Sequence, residues 1–455
     1  MHVHILGIAG TFMSALAILA KAKGYRVTGN DAACYPPISD LLIAHGIDFI
    51  EGYDDINMAL SADLVLVGNA MKRGMPCIER LLNKHKRYFS GPEWLASEIL
   101  KDYRVLAVAG THGKTSTATM LAFILTEAGL KPSYLLGGVP QCLTANAKLD
   151  SGEWFVIEAD EYDTAFFDKR PKFMHYRPEG LILHHLEFDH ADIYPSLDAI
   201  LQQFHYLFRS IPQTGWIVRP MNDEAVDSAF EKGVYSPATM WGSNHAADVQ
   251  VELMAADGSA FRLTSMCESA LVEWDVLGQH NVENAAAAMI AASKIGVGFA
   301  ASAAILKNYT PVKRRMEICF QHTSLTVYDD FAHHPTAIAK TTQAIKASNK
   351  HQRLLGILDF ASNSMRSGHH LQAMPAALTA LDGLYLLNNT DFNLKEQAEK
   401  WPCTVNIFSS VETLLAAIMT DLMPGDAVIM MSNKGFAMLK QRFLDLLAEA
   451  YCATV

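Results

Sequence analysis

The run Val105-Leu106-Ala107-Val108-Ala109-Gly110-Thr111-His112-Gly113-Lys114-Thr115 decides how this chain folds. Four uninterrupted apolar residues make a buried strand, and Gly110 and Gly113 let the backbone turn its N–H groups toward an anion. The stretch from Ser116 to Ala128 reads as the helix that follows, closed by Gly129. The loop therefore opens onto a helix N-terminus, whose positive end favours phosphate. Gly110, Thr111, His112, Gly113, Lys114, Thr115 and Ser116 are assigned on this basis to the phosphates of ATP. Lys114 is placed to reach the β- and γ-phosphates, and the Thr115 hydroxyl is a ligand for Mg²⁺. The match to a Walker A loop is incomplete, because the first glycine of GxxxxGK[ST] falls on Val108.

Working outward, strands are expected at Trp154 to Ile157 and Leu181 to Leu183, each followed by acidic residues: Glu158-Ala159-Asp160-Glu161-Tyr162-Asp163 and Glu187-Phe188-Asp189-His190. Ligand groups of open α/β sheets gather at such strand ends. Hard oxygens suit Mg²⁺, so Glu158 and His190 join Thr115 as metal candidates, with Lys114, Glu158 and His190 as the catalytic set. Upstream, Val3 to Leu6, the turn Gly7-Ile8-Ala9-Gly10, a helix from Met13 to Ala20 and a strand Tyr25 to Thr28 ending in Gly29-Asn30-Asp31 follow the order of a nucleotide-binding βαβ unit. Downstream of Pro311, Leu325 to Tyr328, Leu354 to Leu358, Leu384 to Leu387, Val405 to Phe408 and Ala427 to Met431 are evenly spaced strand-like runs with helical patterns between them. The expected architecture is α/β, three blocks in series, at 1–100, 101–311 and 312–455.

Composition agrees. By length, 455 residues suggest about three domains. Half the residues are apolar, and 37 Lys plus Arg against 48 Asp plus Glu leave a net charge of −11. That balance argues against a nucleic-acid coat or a cationic membrane binder, while backbone N–H groups and one lysine still suffice for a phosphate pocket. Seven scattered cysteines without a CxxC pair read as free thiols in a reducing compartment. The start Met1 to Gly7 lacks signal-peptide character, and no run reaches the roughly 18 apolar residues of a spanning helix. A cytoplasmic chain, monomeric or weakly self-associating, is expected.

Taken in order, Gly110–Thr115, Glu158–Asp163, Glu187–His190, Gly278-Gln279-His280-Asn281-Val282-Glu283-Asn284 and Asp329-Asp330-Phe331-Ala332-His333-His334-Pro335 resemble the Mur ligases across essentially the whole chain. These ATP-dependent enzymes join amino acids or peptides to UDP-N-acetylmuramate in peptidoglycan synthesis. The resemblance implies an N-terminal Rossmann-like domain for the UDP-sugar, a central P-loop ATPase domain with a mostly parallel sheet, and a C-terminal Rossmann-like domain that takes the peptide and closes on ATP. It implies an acyl-phosphate route: ATP phosphorylates the muramyl carboxylate, the amine attacks and phosphate leaves. It further implies that Asn281, with His280 beside it, contacts adenine, and that Arg315, Asp329 and His333 bring the C-terminal domain onto ATP, Asp329 at the ribose. Gly7, Ala9, Gly10, Thr11, Asp31, Asn69, Lys72 and Arg73 fall in the UDP-sugar region, and Asn363, Arg366, Ser432 and Asn433 in the peptide region.

The stretches Glu158–Arg170 and Leu186–Ile193 favour the part of the family that attaches the whole tripeptide L-alanyl-γ-D-glutamyl-meso-diaminopimelate, with free L-alanine as the alternative acceptor. Gln202-Gln203-Phe204-His205 lacks the lysine that several later-acting members carry. Ala361 stands where an arginine is expected before Ser362-Asn363, and Lys434 where a glycine is expected. Two other classes are weighed. His184-His185-x-x-x-Asp189-His190 has the wrong spacing for the HxHxDH of a metal-dependent hydrolase. Asp31 sits where a nicotinamide oxidoreductase would hold its ribose, but Ala9 and Phe12 replace the second and third glycines of GxGxxG.

Overall fold

The computed structural model describes residues 1–36, 38–189, 193–360, 363–388, 390, 394–433 and 436–452. Three main sheets follow one another along the chain. The first is five-stranded and parallel, in the order Asp48–Glu51, Arg26–Asp31, His2–Leu6, Leu64–Val67, Tyr88–Ser90. Its order reverses beside His2–Leu6, so the turn Gly7–Gly10 and the end of Leu64–Val67 share the crevice where doubly wound sheets hold ligands. The strand expected to stop at Thr28 runs on to Asp31. Gly29 makes this possible: an added Cβ there would stand 2.7 Å from Ile5 O, so only glycine lets the strand lie against the turn.

The second sheet has ten strands, with Arg104–Ala109 near its middle, flanked in parallel by Trp154–Glu158 and Gly180–Leu183. The residues Val105, Leu106, Ala107 and Val108 are all buried, as a strand covered on both faces requires. The helices Lys114–Glu127 and Gln279–Ser293 pack over this sheet through near-continuous alanine, leucine and isoleucine. Val249–Leu253 still pairs in parallel with Ala238–Gly242, and beyond it the sheet turns antiparallel, adding Ala260–Ser265 and Ser269–Glu273. The hairpin Asp163–Ala165 and Asp168–Pro171 leaves the sheet altogether and lays Phe166 and Phe167 against the first block, where Phe167 meets Tyr88 edge-on at 4.9 Å.

The third sheet orders as Glu317–His322, Leu325–Asp330, Asp426–Met431, Arg353–Asp359, Gly383–Leu387, Thr404–Phe408. All are parallel except the first, an antiparallel edge strand absent from the sequence reading. No helix among the described residues is long and apolar enough to cross a membrane.

Candidate active site

The C-terminal ends of Arg104–Ala109, Trp154–Glu158 and Gly180–Leu183 lie side by side, and three loops issue from them. The middle one is the phosphate loop. Gly110 and Gly113 have φ of +126° and +84°, a region that side chains resist. Space is equally tight: a Cβ on Gly110 would stand 2.8 Å from His184 Cβ, and one on Gly113 would collide with the amide oxygen of Asn284. Thr111 N–H donates to His185 O at 3.0 Å, and Thr117 Oγ1 and His184 Nε2 are 2.7 Å apart. The loop is thus braced from beneath, while the first-turn N–H groups of Lys114–Glu127 have no carbonyl four residues back.

The two flanking strands bring the acids. Thr115 Oγ1 lies 2.9 and 3.0 Å from the Glu158 carboxylate oxygens, and Gly137 N–H donates to Glu158 Oε2 at 2.9 Å. Lys114 Nζ donates to Gly110 O and to Glu161 Oε2, both at 2.8 Å. Lys172 Nζ, also buried, donates to Asp160 Oδ2 at 3.1 Å and to the Tyr162 hydroxyl at 2.9 Å. Burial and the neighbouring Asp160 raise the Glu158 carboxyl above its ordinary range. Burial disfavours the Lys114 cation, yet Glu161, Asp160 and Glu158 outweigh it and hold the ammonium charged. A hard cation fits this donor set of a hydroxyl and crowded carboxylate oxygens. Glu161 belongs to the acidic run quoted from the sequence, but its pairing with Lys114 went unread.

The third loop carries two adjacent histidines in opposite states. His184 is buried against Gly110, and desolvation pushes it down to about 3. His185 is raised to about 9 by Asp223, 2.6 Å away, and by Glu283. Further along, burial opposes ionisation of Glu187, but His112, Thr336 and His334 outweigh it and hold the carboxyl at about 2. His190 lies outside the described residues.

The C-terminal block closes over this site. Thr336, at the start of the helix Pro335–Ala347, donates from Oγ1 to Glu187 Oε2 at 2.8 Å, and the His334 and His112 rings are 5.1 Å apart. Lys340 reaches Glu283 at 3.8 Å. Arg315 stacks on Phe331 at 5.1 Å, and its charge bears on Glu158, His280 and His333. His280 is pushed down to about 4 by burial, and Asn281 Nδ2 donates to Leu277 O at 2.8 Å. Asp329 is buried, accepts from Lys440 at 2.6 Å and lies 3.7 Å from Arg314, so its carboxylate is engaged within its own block. His333 Nδ1 is 3.0 Å from Phe331 O, and it is its neighbour His334 that meets the phosphate loop.

At the first block, Asp31 is bound up in the glycine turn. It accepts from Ala9 N–H at 2.7 Å, Ala32 N–H at 2.7 Å and the Tyr53 hydroxyl at 3.3 Å. These bonds tie the carboxylate into the turn, whereas a carboxylate dedicated to a ribose would be more open. Gly7 has φ +85°, while Gly10 and Thr11 lie exposed at the start of Thr11–Ala22. Asn69 Nδ2 donates to Asp163 Oδ1 at 3.2 Å, bridging the first block to the hairpin, and Arg73 forms a two-pronged pair with Glu79 at 3.0 and 3.2 Å, beside exposed Lys72. On the peptide side Arg366 is exposed, and the Asn363 side chain lies outside the described residues. Ser432 is fully buried, its hydroxyl 3.4 Å from Asp359 Oδ2, whereas Asn433 Oδ1 is buried with no hydrogen-bond partner among the described residues.

A phosphate loop at the heart of the middle sheet, with α/β blocks on either side and the last folded onto it, defines a three-domain P-loop protein. The chain belongs to the Mur ligase family. Its residues 2–103 match the family's "Mur ligase family, catalytic domain", 108–292 its "Mur ligase middle domain" and 314–434 its "Mur ligase, glutamate ligase domain". It is 42% identical over 453 residues, 99% of both chains, to the UDP-N-acetylmuramate–L-alanyl-γ-D-glutamyl-meso-2,6-diaminoheptandioate ligase of Escherichia coli strain K12. The crystal structure of a murein peptide ligase from Psychrobacter arcticus 273-4 superposes with a TM-score of 0.78 at 42% identity, covering 98% of each chain. The UDP-N-acetylmuramate–alanine ligase of Thermotoga maritima shares the fold at a TM-score of 0.81 but only 21% identity, covering 99% of this chain and all of that one.

Proposed function

We propose that this chain is an ADP-forming ligase that attaches L-alanyl-γ-D-glutamyl-meso-diaminopimelate whole to UDP-N-acetylmuramate, in peptidoglycan recycling in the cytoplasm. The tripeptide is preferred to L-alanine because identity to the tripeptide ligase of E. coli is 42% over 99% of both chains, against 27% over 98% of this chain for an alanine ligase from Desulforapulum autotrophicum. That full-length identity carries the reading. The domains are taken as 1–100 for the UDP-sugar, 101–311 for ATP and 312–455 for the peptide.

The chemistry follows from the groups present. A carboxylate resists attack by an amine, so the muramyl carboxylate oxygen first takes the terminal phosphoryl of ATP, releasing ADP. The amine then adds to the acyl phosphate carbonyl, loses a proton and expels phosphate. Lys114 exchanges Glu161 for the β/γ-phosphates, and the N–H groups after Gly113 face the same oxygens. Thr115 and Glu158 would hold Mg²⁺, which supplies neutralisation of the gathering negative charge. Glu187 and Thr336 hold the C-terminal block down, excluding water that would otherwise hydrolyse the acyl phosphate. The decisive experiment offers both amines in one reaction with ATP and UDP-N-acetylmuramate and follows the products by mass. Tripeptide product should dominate, and preferential formation of UDP-N-acetylmuramoyl-L-alanine would overturn the assignment.

A further inference from the structure

Where the middle and C-terminal blocks meet, three potential metal ligands converge from distant parts of the chain. His112 comes from the phosphate loop, Glu187 from the loop after Gly180–Leu183, and His334 from the cap of Pro335–Ala347. One donor atom of each lies within 4.8 Å of the others, with His112 Nε2 3.5 Å and His334 Nδ1 3.6 Å from Glu187 Oε2. Donor atoms around a tetrahedral zinc ion stand roughly 3.3 Å apart, given bonds of about 2.0–2.1 Å. Two of the three separations already approach that spacing.

Two further observations point to a cation. His112 Nε2 is buried and faces the Glu187 carboxylate at 3.5 Å, and Nε2 of His370, whose ring packs 4.5 Å from that of His334, is buried with no hydrogen-bond partner among the described residues. A buried imidazole nitrogen turned toward a carboxylate, beside a second that makes no hydrogen bond, suits a cation among them. Asp189 adds a second negative charge that bears on both His334 and His370. Thr336 at present holds the cluster together, its hydroxyl on Glu187 at 2.8 Å and its N–H reaching His334 Nδ1 at 3.4 Å.

We propose that His112, Glu187 and His334 form a binding site for a divalent transition ion of the zinc type, bridging the phosphate loop and the C-terminal block. Two imidazoles and one carboxylate select Zn²⁺, Co²⁺ or Ni²⁺ over Mg²⁺, which prefers an all-oxygen set such as Thr115 and Glu158. Because His334 lies in a different block from the other two ligands, the ion clamps the closed arrangement. This site stands whether or not the ligase reading is right, since its test needs neither substrate nor turnover.

The test is equilibrium dialysis of the full-length, nucleotide-free protein against Zn²⁺ in excess Mg²⁺, with Co²⁺ as a spectroscopic probe. One equivalent should be retained, and both His334→Ala and Glu187→Gln should weaken it by ~10-fold to ~100-fold or more. His245→Gln, an exposed histidine elsewhere, should bind as the parent does. Small-angle scattering should show Zn²⁺ compacting the parent but not His334→Ala. Circular dichroism identifies a variant that has failed to fold, in which case the other decides. Retention that survives both substitutions, a thiolate charge-transfer band in the Co²⁺ spectrum, or no retention by the parent overturns the site.

Discussion

Gly137 tests the placement of Glu158 more sharply than a change to the carboxylate itself. Its φ lies outside the left-handed region, so its requirement is for room. An alanine Cβ there would stand 2.8 Å from Glu158 Cδ and 3.2 Å from Oε1, and would overlap Oε2. Carbon atoms in contact sit about 3.5–4.0 Å apart, so the carboxylate must withdraw by about 1 Å. The retreat also strains the bond from Gly137 N–H and the contact with Thr115. Displacing a positioned group by that distance costs ~100-fold in rate, or about 2.7 kcal/mol of barrier. Gly137→Ala should therefore lower kcat for ADP release by ~100-fold at saturating Mg²⁺, with KM for UDP-N-acetylmuramate little changed. Since Gly137 is itself exposed, the melting temperature should move by only a few degrees. A kcat within threefold of the parent would refute the claim that Glu158 is held by this contact for catalysis.

Lys114→Met should reduce kcat on the order of 10³-fold. It also leaves buried Glu161 without its cation, a loss of about 3–5 kcal/mol, so Lys114→Met/Glu161→Gln should recover the melting temperature and not the turnover. The neighbouring histidines predict a stability maximum near pH 6.5. His185, raised to about 9, contributes fully below its unfolded value near 6.5 and is lost as pH rises through 9, while His184, lowered to about 3, destabilises progressively as pH falls from 6.5 toward 3. Urea midpoints across pH should show the alkaline decline in the parent and a much flatter limb in His185→Gln. Asp31→Ala frees three donors at the glycine turn and should raise KM for UDP-N-acetylmuramate by ~10-fold with kcat nearly intact; unchanged kinetics would remove Asp31 from the sugar site.

The sequence makes the three blocks legible because buried parallel strands are short apolar runs with glycine or acid at their ends. Leu64–Val67 forms where those four residues predict it, and Val105–Val108 lengthens by one residue at each end. The antiparallel strands Val249–Leu253 to Ser269–Glu273 escaped because they alternate on a half-exposed surface, without the continuous apolar signal of their neighbours. Within the site, the phosphate loop and Glu158 stand out because a glycine turn and an acid directly after a buried apolar run are local signals. The pairings of Glu161, Glu187 and Asn284 do not, since their partners arrive from other elements; Thr336 and Glu187 meet across 149 residues. Asp31, which falls in the UDP-sugar region by resemblance, also has its carboxylate in three hydrogen bonds of the turn, partners that the sequence does not reveal.

On the proposed reading of Lys114, the Glu161 carboxylate that accepts from its ammonium at 2.8 Å stands where a phosphate oxygen would settle. Stray sulfate or orthophosphate has to compete with a tethered rival that never diffuses away, whereas a triphosphate brings enough additional contacts to prevail. On that reading the pocket is shielded against the small anions that surround it, including the phosphate released at the end of each turnover.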